Sequence, residues 1–305
     1  MAATSGPCGF LVVDKPAGIT SHGCVAAVRR AYGLRRVGHG GTLDPAVTGV
    51  LPMAIGPATR LLPYLGGAKA YLGVVQLGLR SSSDDLDGTV LDRQPLPHLG
   101  RGELEEALKP FRGPILQVPP QVSAVHVDGE RAYARARRGE TVALEPRPVT
   151  IEQLQLIGWD PASGQLELAV RCSAGTYIRS LARDLGDSLG CGGALARLRR
   201  TEALGFDLSE AIPLDRLAAP PAPPLLDPLQ ALGHLAQYRL NPAELLDWRC
   251  GRRLQGDPPP VEASPSGRDP AGPVAVVAPD GRLAGIAQPS PEGGLRPRLV
   301  FDAAG

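Results

Sequence analysis

Apolar residues in this chain come in short runs and helical stripes, not in one long block. Residues 9–13 are an apolar run and predict a buried strand. Thr20 or Ser21 is placed to cap a helix that runs through Tyr32 and ends at Gly33. Residues 34–49 read as a Gly-rich loop, 50–55 as a strand, and Pro57 can open a short helix to Leu65. Residues 70–79 predict a strand, followed by a Ser- and Asp-rich turn over 81–88. Residues 103–111 are helical in pattern, 122–127 read as a strand, and 130–138 as a helix. Residues 149–159 and 165–172 read as a strand pair. Over 176–189 the residues Ile178, Leu181, Leu185 and Leu189 fall on one helical face. This order predicts an α+β fold and disfavours a doubly wound nucleotide-binding sheet.

Pro220-Pro221-Ala222-Pro223-Pro224 interrupts the pattern. A Pro-dense stretch lacks amide donors and resists helix or central strand. It predicts a main domain over 1–217, a linker over 218–224 and a small domain over 225–305. A second Pro-, Gly- and Ser-rich stretch covers 256–273, and no repeat of fixed period is present. No apolar run approaches the roughly 18 residues of a membrane span. The first apolar run stops at Asp14 with no basic flank, so a secretory signal is not expected. Cys8, Cys24, Cys172, Cys191 and Cys250 lie far apart with no CxxC pair. That argues against a zinc site or a disulfide framework and for a cytoplasmic setting. GxGxxG and GxxxxGK[ST] fingerprints are absent, so no nucleotide cofactor is expected, and the five histidines and five cysteines form no ligand-spaced group, so no metal is expected.

Charge changes the picture only locally. The net charge is +1, carried by 29 Arg and three Lys against 31 acidic residues. Residues 1–217 hold 24 basic and 22 acidic side chains, and 218–305 hold eight and nine, so a nucleic-acid footprint must rest on clusters. Three are present: Arg29, Arg30, Arg35 and Arg36; Arg131, Arg135 and Arg138 at helical spacing; and Arg197, Arg199 and Arg200. Each is a candidate phosphate contact. Lys15 and Lys69 keep a point charge in an Arg-rich chain, which suits a place near RNA or a reacting group.

The most informative segment is GHGGTLDPAVTGVLP over 38–52. Its glycines permit tight turns and close ligand approach. Pro45 biases Asp44 toward an extended backbone. A carboxylate in such a loop suits nucleophilic attack or proton transfer. A plain turn would use the same residue types.

This segment resembles the catalytic-loop motif of the TruB-type tRNA pseudouridine synthases. FLVVDKPAGITS over 10–21, KAY over 69–71, PPQVSAVHVDGERAY over 119–133, CSAGTYIRSL over 172–181 and LRRT over 198–201 are similar to further motifs of that family, in order. Residues 273–288 with 296–300 look like the small PUA-type RNA-binding domain of its bacterial members. The resemblance implies a mixed-sheet catalytic domain followed by a PUA-like β domain. It implies isomerisation of the tRNA T-loop uridine conventionally numbered 55, with help to tRNA folding. The N–C glycosidic bond breaks, the uracil turns and a C–C bond forms, so no cofactor is needed. Asp44 is then the essential carboxylate, acting on the sugar, on the base, or as a base at the ribose. Tyr71 stacks on a flipped uracil, Tyr177 and Leu198 line its pocket, and Arg179 can pair with Asp44. His39 enters the RNA. Val47, Gly40 and His126 are small departures from the family pattern. The expected partner is the T-arm of tRNA, without guide RNA or membrane, and a monomer is expected.

Three rival readings share some of these features. A non-catalytic RNA-binding protein on the same scaffold would not need Asp44, Tyr71 and Arg179 together. The guide-RNA-dependent branch of the superfamily is disfavoured by the short chain and its tail. A glycoside-cleaving enzyme needs a second carboxylate facing Asp44, and Asp84, Asp85 and Asp87 read as turn residues.

Overall fold

The computed structural model describes residues 6–301 except 124, 128, 141 and 255–271. Most of the predicted stretch over 256–273 therefore lies outside the described residues.

One mixed sheet dominates. Eight strands run across it in the order Ala211–Pro213, Gly9–Lys15, Thr48–Ile55, Gly193–Ala203, Lys69–Leu77, Gln165–Cys172, Arg147–Asp160, Gly113–Gln117. Val37–His39 and Phe206–Asp207 pair at its side. Neighbours are antiparallel except at Gly9–Lys15 with Ala211–Pro213 and at Thr48–Ile55 with Gly193–Ala203. This is an α+β architecture with helices laid on the sheet.

Gly9–Lys15 is covered on both faces. Phe10 and Val12 enter one core cluster, Leu11 and Val13 another. A strand buried on both sides has no polar face to alternate, hence the unbroken apolar run. The Ser21–Tyr32 helix is bounded by chemistry visible in its sequence. The Thr20 hydroxyl accepts the Gly23 N–H at 3.0 Å, and Gly33 takes the left-handed conformation at φ 63°. The helix packs Cys24, Val25 and Val28 against Leu11, Val13 and Met53. On the other half of the sheet, the Ile178–Ser188 helix buries Ile178, Leu181 and Leu185 among Val75, Leu77 and Leu166.

Several elements differ from expectation. The loop after the first helix contains the short strand Val37–His39. The 70–79 strand divides at Gly78 into Lys69–Leu77 and Leu79–Ser81. The 122–127 strand shrinks to His126–Val127, because Val122 and Ser123 give their carbonyls to the Arg179 side chain and the Tyr133 N–H. The following helix is Ala132–Arg137, with Arg131 before it and Arg138 at its end. Gly193–Ala203, rich in Ala and Arg, carries little intrinsic strand preference. It becomes a central strand through ladders on both edges.

A second sheet runs Ala236–Arg239, Val274–Val277, Leu283–Pro289, Leu295–Val300, the first pair parallel. Its core holds Trp248, whose indole N–H donates to Ala284 O at 2.9 Å. The sheet is not detached from the first. Leu232, Leu235, Ala275, Ile286 and Leu299 share one cluster with Phe10, Val12, Val50 and Ala54. Leu226 and Phe10 also exchange backbone hydrogen bonds at 2.8 and 3.0 Å. Among the described residues no helix is long and apolar enough to cross a membrane.

Candidate active site

Asp44 sits in a loop held on both sides by buried polar groups. Upstream, the Ser21 hydroxyl accepts the Leu43 N–H at 2.9 Å and donates to Leu43 O at 3.0 Å. Further upstream, Gly41 O accepts from Arg200 Nη2 at 3.0 Å. Downstream, Pro45 O accepts from Lys15 Nζ at 3.0 Å and from the Gly18 N–H at 2.9 Å. Leu43 and Val47 anchor the loop in the core. The loop is thus fixed, and the Asp44 carboxylate projects from it with its side chain 46% exposed.

Arg179 meets it from the second position of the Ile178–Ser188 helix. Arg179 Nη2 lies 3.1 Å from an Asp44 oxygen, and its side chain is only 10% exposed. The same guanidinium donates to Ser83 O at 3.0 Å and Val122 O at 2.9 Å, and stands 3.6 Å from Asp85. One fork therefore ties together the Asp44 loop, the 81–88 turn and the segment entering 123–142. These groups open on a cleft of about 580 Å³, walled by Leu72, Ile157, Arg197 and Leu198 with Asp44 and Asp85 at its polar end. Leu72 and Ile157 are each half exposed, so its walls are apolar surface facing solvent. A larger hollow of about 1040 Å³, bordered by Asp14, Arg30 and Pro213, shares Arg199 and Thr48 with the cleft but lacks the Asp44–Arg179 pair. The chemistry points to the smaller space.

The other residues singled out in the sequence fall in different places. Leu198, Arg197 and Arg199 border the cleft. Arg197 is exposed, whereas Arg199 pairs with Asp14 at 2.8 Å. Tyr71, next to Leu72 in the strand, is 7% exposed, packs in the core and is not among the residues lining the cleft; burial raises its hydroxyl pKa while the Arg200 guanidinium pulls it down. Lys69 is lowered by burial and by Arg200. Tyr177 caps the helix that carries Arg179. Its backbone N–H and C=O are both engaged by the Gln117 side chain, at 2.8 and 3.1 Å.

His39 ends the Val37–His39 strand, half-buried, its ring edge-on to His22 at 5.6 Å. Its Nδ1 is buried without a partner, and burial lowers its pKa, with His22 and Arg200 adding to that.

Two expectations are corrected. Lys15 is fully buried and spends its three protons on the carbonyls of Pro16, Ile19 and Pro45, so it holds the loop and does not reach a substrate. Arg200 is also fully buried, because the strand ladder turns it inward where its neighbour Arg199 turns out. It cannot meet a phosphate.

Arg131, Arg135 and Arg138 stand away from the cleft lining. Arg135 pairs with Glu140, and Arg138 with Glu130 and Glu140, which offsets much of that cluster's charge.

Asp85 is the residue the sequence reading passed over. Its Oδ1 accepts from the Ser83 hydroxyl and the Asp87 N–H, as a turn aspartate does, while Oδ2 faces Arg179. Asp84 pairs with Arg183 at 2.8 Å. Arg179 and Arg183 are four apart on one helix, so they share a face. That spacing was a readable demand for acidic partners. Among the described residues no group of three His, Cys, Asp or Glu is arranged to hold a metal.

The described site can be set beside known proteins. The family model for the TruB family pseudouridylate synthase N-terminal domain matches residues 29–178, and that for the tRNA pseudouridylate synthase B C-terminal domain matches 179–222. A protein named tRNA pseudouridine synthase B from Parasynechococcus marenigrum (strain WH8102) is 63% identical over 98% of this chain and 99% of its own length. One of the same name from Synechococcus sp. (strain WH7803) is 58% identical over 98% and 99%. Among solved structures, a chain of an H/ACA RNP bound to a substrate RNA containing 2'-deoxyuridine superposes with a TM-score of 0.69 at 22% identity, covering 96% of this chain and 84% of that one. That likeness speaks for the fold. Matched along almost its whole length by close relatives, this chain belongs to the TruB family of pseudouridylate synthases.

Proposed function

We propose that the cleft converts a uridine of tRNA to pseudouridine, the T-loop uridine at position 55, with Asp44 as the reacting carboxylate. The observation that carries this reading is the clamped Asp44 loop, its carboxylate paired with Arg179 at 3.1 Å where both border an apolar-walled cleft. Its volume lies within the roughly 300–1,000 Å³ of ordinary ligand pockets. The reaction rearranges one nucleoside and transfers nothing to or from a second molecule, so the chain's own groups suffice. Arg179, itself held by the carbonyls of Ser83 and Val122, presents one fixed Nη2 to an oxygen of the carboxylate and favours its charged form. The rigid loop supplies the preorganisation that attack or proton transfer requires. Leu198 and Leu72 offer apolar surface to an extruded base, and Tyr71 the aromatic face beneath it. Arg197 contacts the RNA backbone. The enzyme works in the cytoplasm without a guide RNA, as a monomer, and the second sheet contacts the tRNA outside the T-loop.

Incubation of the purified protein with unmodified tRNA, followed by mapping of pseudouridine, tests the reading. Asp44→Asn keeps shape and removes charge. It should abolish product while tRNA binding stays within about threefold, because a group used only in the transition state leaves the ground-state complex intact. Normal turnover by that variant would refute the assignment, and product at another uridine would refute the position.

A further inference from the structure

Arg200 carries a charge that the fold has buried without neutralising. It is 0% exposed, and among the described residues no carboxylate pairs with it. Nε donates to Val50 O at 2.7 Å and Nη2 to Gly41 O at 3.0 Å, while Nη1 is buried with no hydrogen-bond partner. Its polar neighbours are two further basic groups, Lys69 and His39, and the Tyr71 hydroxyl, whose residue stands opposite Arg200 in the strand ladder. A buried cation with an unsatisfied donor is costly, and apolar replacements of buried ions are often at least as stable. Packing alone would favour a leucine here. The charge therefore has a use that packing does not explain.

What the guanidinium touches suggests that use. Gly41 stands three residues before Asp44 in the same fixed loop. A Cβ at Gly41 would lie 3.4 Å from Arg200 Nη1 and 3.3 Å from Lys69 Nζ, so both cations press against this turn from below. In the ladder Arg200 stands directly opposite Tyr71, whose strand also forms the Leu72 wall of the cleft. We infer that Arg200 is a positioning residue for the reaction, holding the Asp44 loop and the Tyr71 hydroxyl as one unit beneath the cleft. The inference rests on the proposed isomerisation. It adds a residue that never touches RNA yet sets how two groups that do are placed. The strand thus divides its work: Leu198 forms wall, Arg199 faces outward, and Arg200 clamps from within.

A double-mutant cycle tests it. Single-turnover pseudouridine formation is measured for the parent, Arg200→Lys, Tyr71→Phe and the double variant, over hours where the reaction is slow. Melting curves and tRNA affinities are taken alongside. Lysine keeps the charge but cannot bridge the Val50 and Gly41 carbonyls as the guanidinium does while standing against Tyr71. Arg200→Lys should slow the reaction by about tenfold or more with affinity within about threefold, the pattern of a group that acts after binding. In the Tyr71→Phe background the same change should cost less than about threefold, since residues acting as one unit do not add. If Arg200→Lys fails to fold, Arg200→Gln, which keeps a donor for Gly41 O, enters the same cycle. Equal losses in both backgrounds, a parental rate, or weakened affinity with a parental rate at saturation would each overturn the inference. A parent protein that forms no pseudouridine overturns the functional reading itself. An active parent indifferent to Arg200→Lys overturns the positioning role alone.

Discussion

Replacing Arg179 by lysine isolates the value of its fork. The side chain makes four contacts: Ser83 O at 3.0 Å, Val122 O at 2.9 Å, Asp44 at 3.1 Å and Asp85 at 3.6 Å. They lie on the two Nη atoms, and a single ammonium can keep about two of them. Contacts to charged groups are worth about 1.5–3 kcal/mol each, so the gross loss is about 3–6 kcal/mol. Asp44 is nearly half exposed, and water recovers part of what it loses. A net cost of about 2–4 kcal/mol is therefore reasonable. If that cost falls on the orientation of Asp44, it slows the reaction about 30- to 1,000-fold at ~1.4 kcal/mol per tenfold. The assay is single-turnover pseudouridine formation with enzyme in excess. Circular dichroism melts confirm a folded variant, and a filter-binding titration shows whether tRNA still binds. A folded Arg179→Lys variant within about threefold of the parent rate would refute the reasoning, because the carboxylate would then need no fork to hold it.

Two further outcomes follow from the geometry around the loop. Gly49 has φ 105°, and a Cβ there would lie 2.1 Å from the Arg200 carbonyl oxygen, which as backbone cannot move aside. Gly49→Ala should cost about 3–5 kcal/mol from left-handed strain and overlap. That lowers Tm by about 6–20 °C for a domain of this size, and an unchanged Tm would show that the loop and central strand separate easily. Burial, His22 and Arg200 hold His39 below the ordinary histidine range, so the fold favours its neutral form. Its contribution to stability is complete above about pH 6.5, the unfolded value, and is lost as pH falls through the lowered folded value. Urea melts between about pH 5 and 8 should show the parent weakening on the acid side more than His39→Gln; parallel curves would mean that His39 is not strained by burial.

The sequence announces those parts of the molecule whose local chemistry agrees with their final place. The first helix is readable because Thr20 and Gly33 cap it in isolation as they do in the fold. The Asp44 loop is readable because glycine and proline act on their immediate neighbours. The Gly193–Ala203 strand is not, since it is a strand only between two partners. With that strand unseen, the inward turn of Arg200 is invisible, and a pair of arginines reads as surface. Lys15 misleads in the same way. Its three carbonyl partners come from residues 16, 19 and 45, and only the folded turn gathers them. Asp85 hides behind an ordinary turn because one of its oxygens does ordinary turn work.

The cluster joining Phe10, Val12, Val50 and Ala54 to Leu232, Leu235, Ile286 and Leu299 makes the two sheets share one interior. A tail on a loose tether would search for its own stretch of RNA and raise affinity through effective concentration. A tail cemented to the back of the main sheet has its position set at folding, so any partner that touches both sheets meets them at one fixed spacing. The same cement means that a chain cut after residue 217 bares the apolar back of the strand that ends at Lys15, so removing the tail should disturb the Asp44 loop that Lys15 holds.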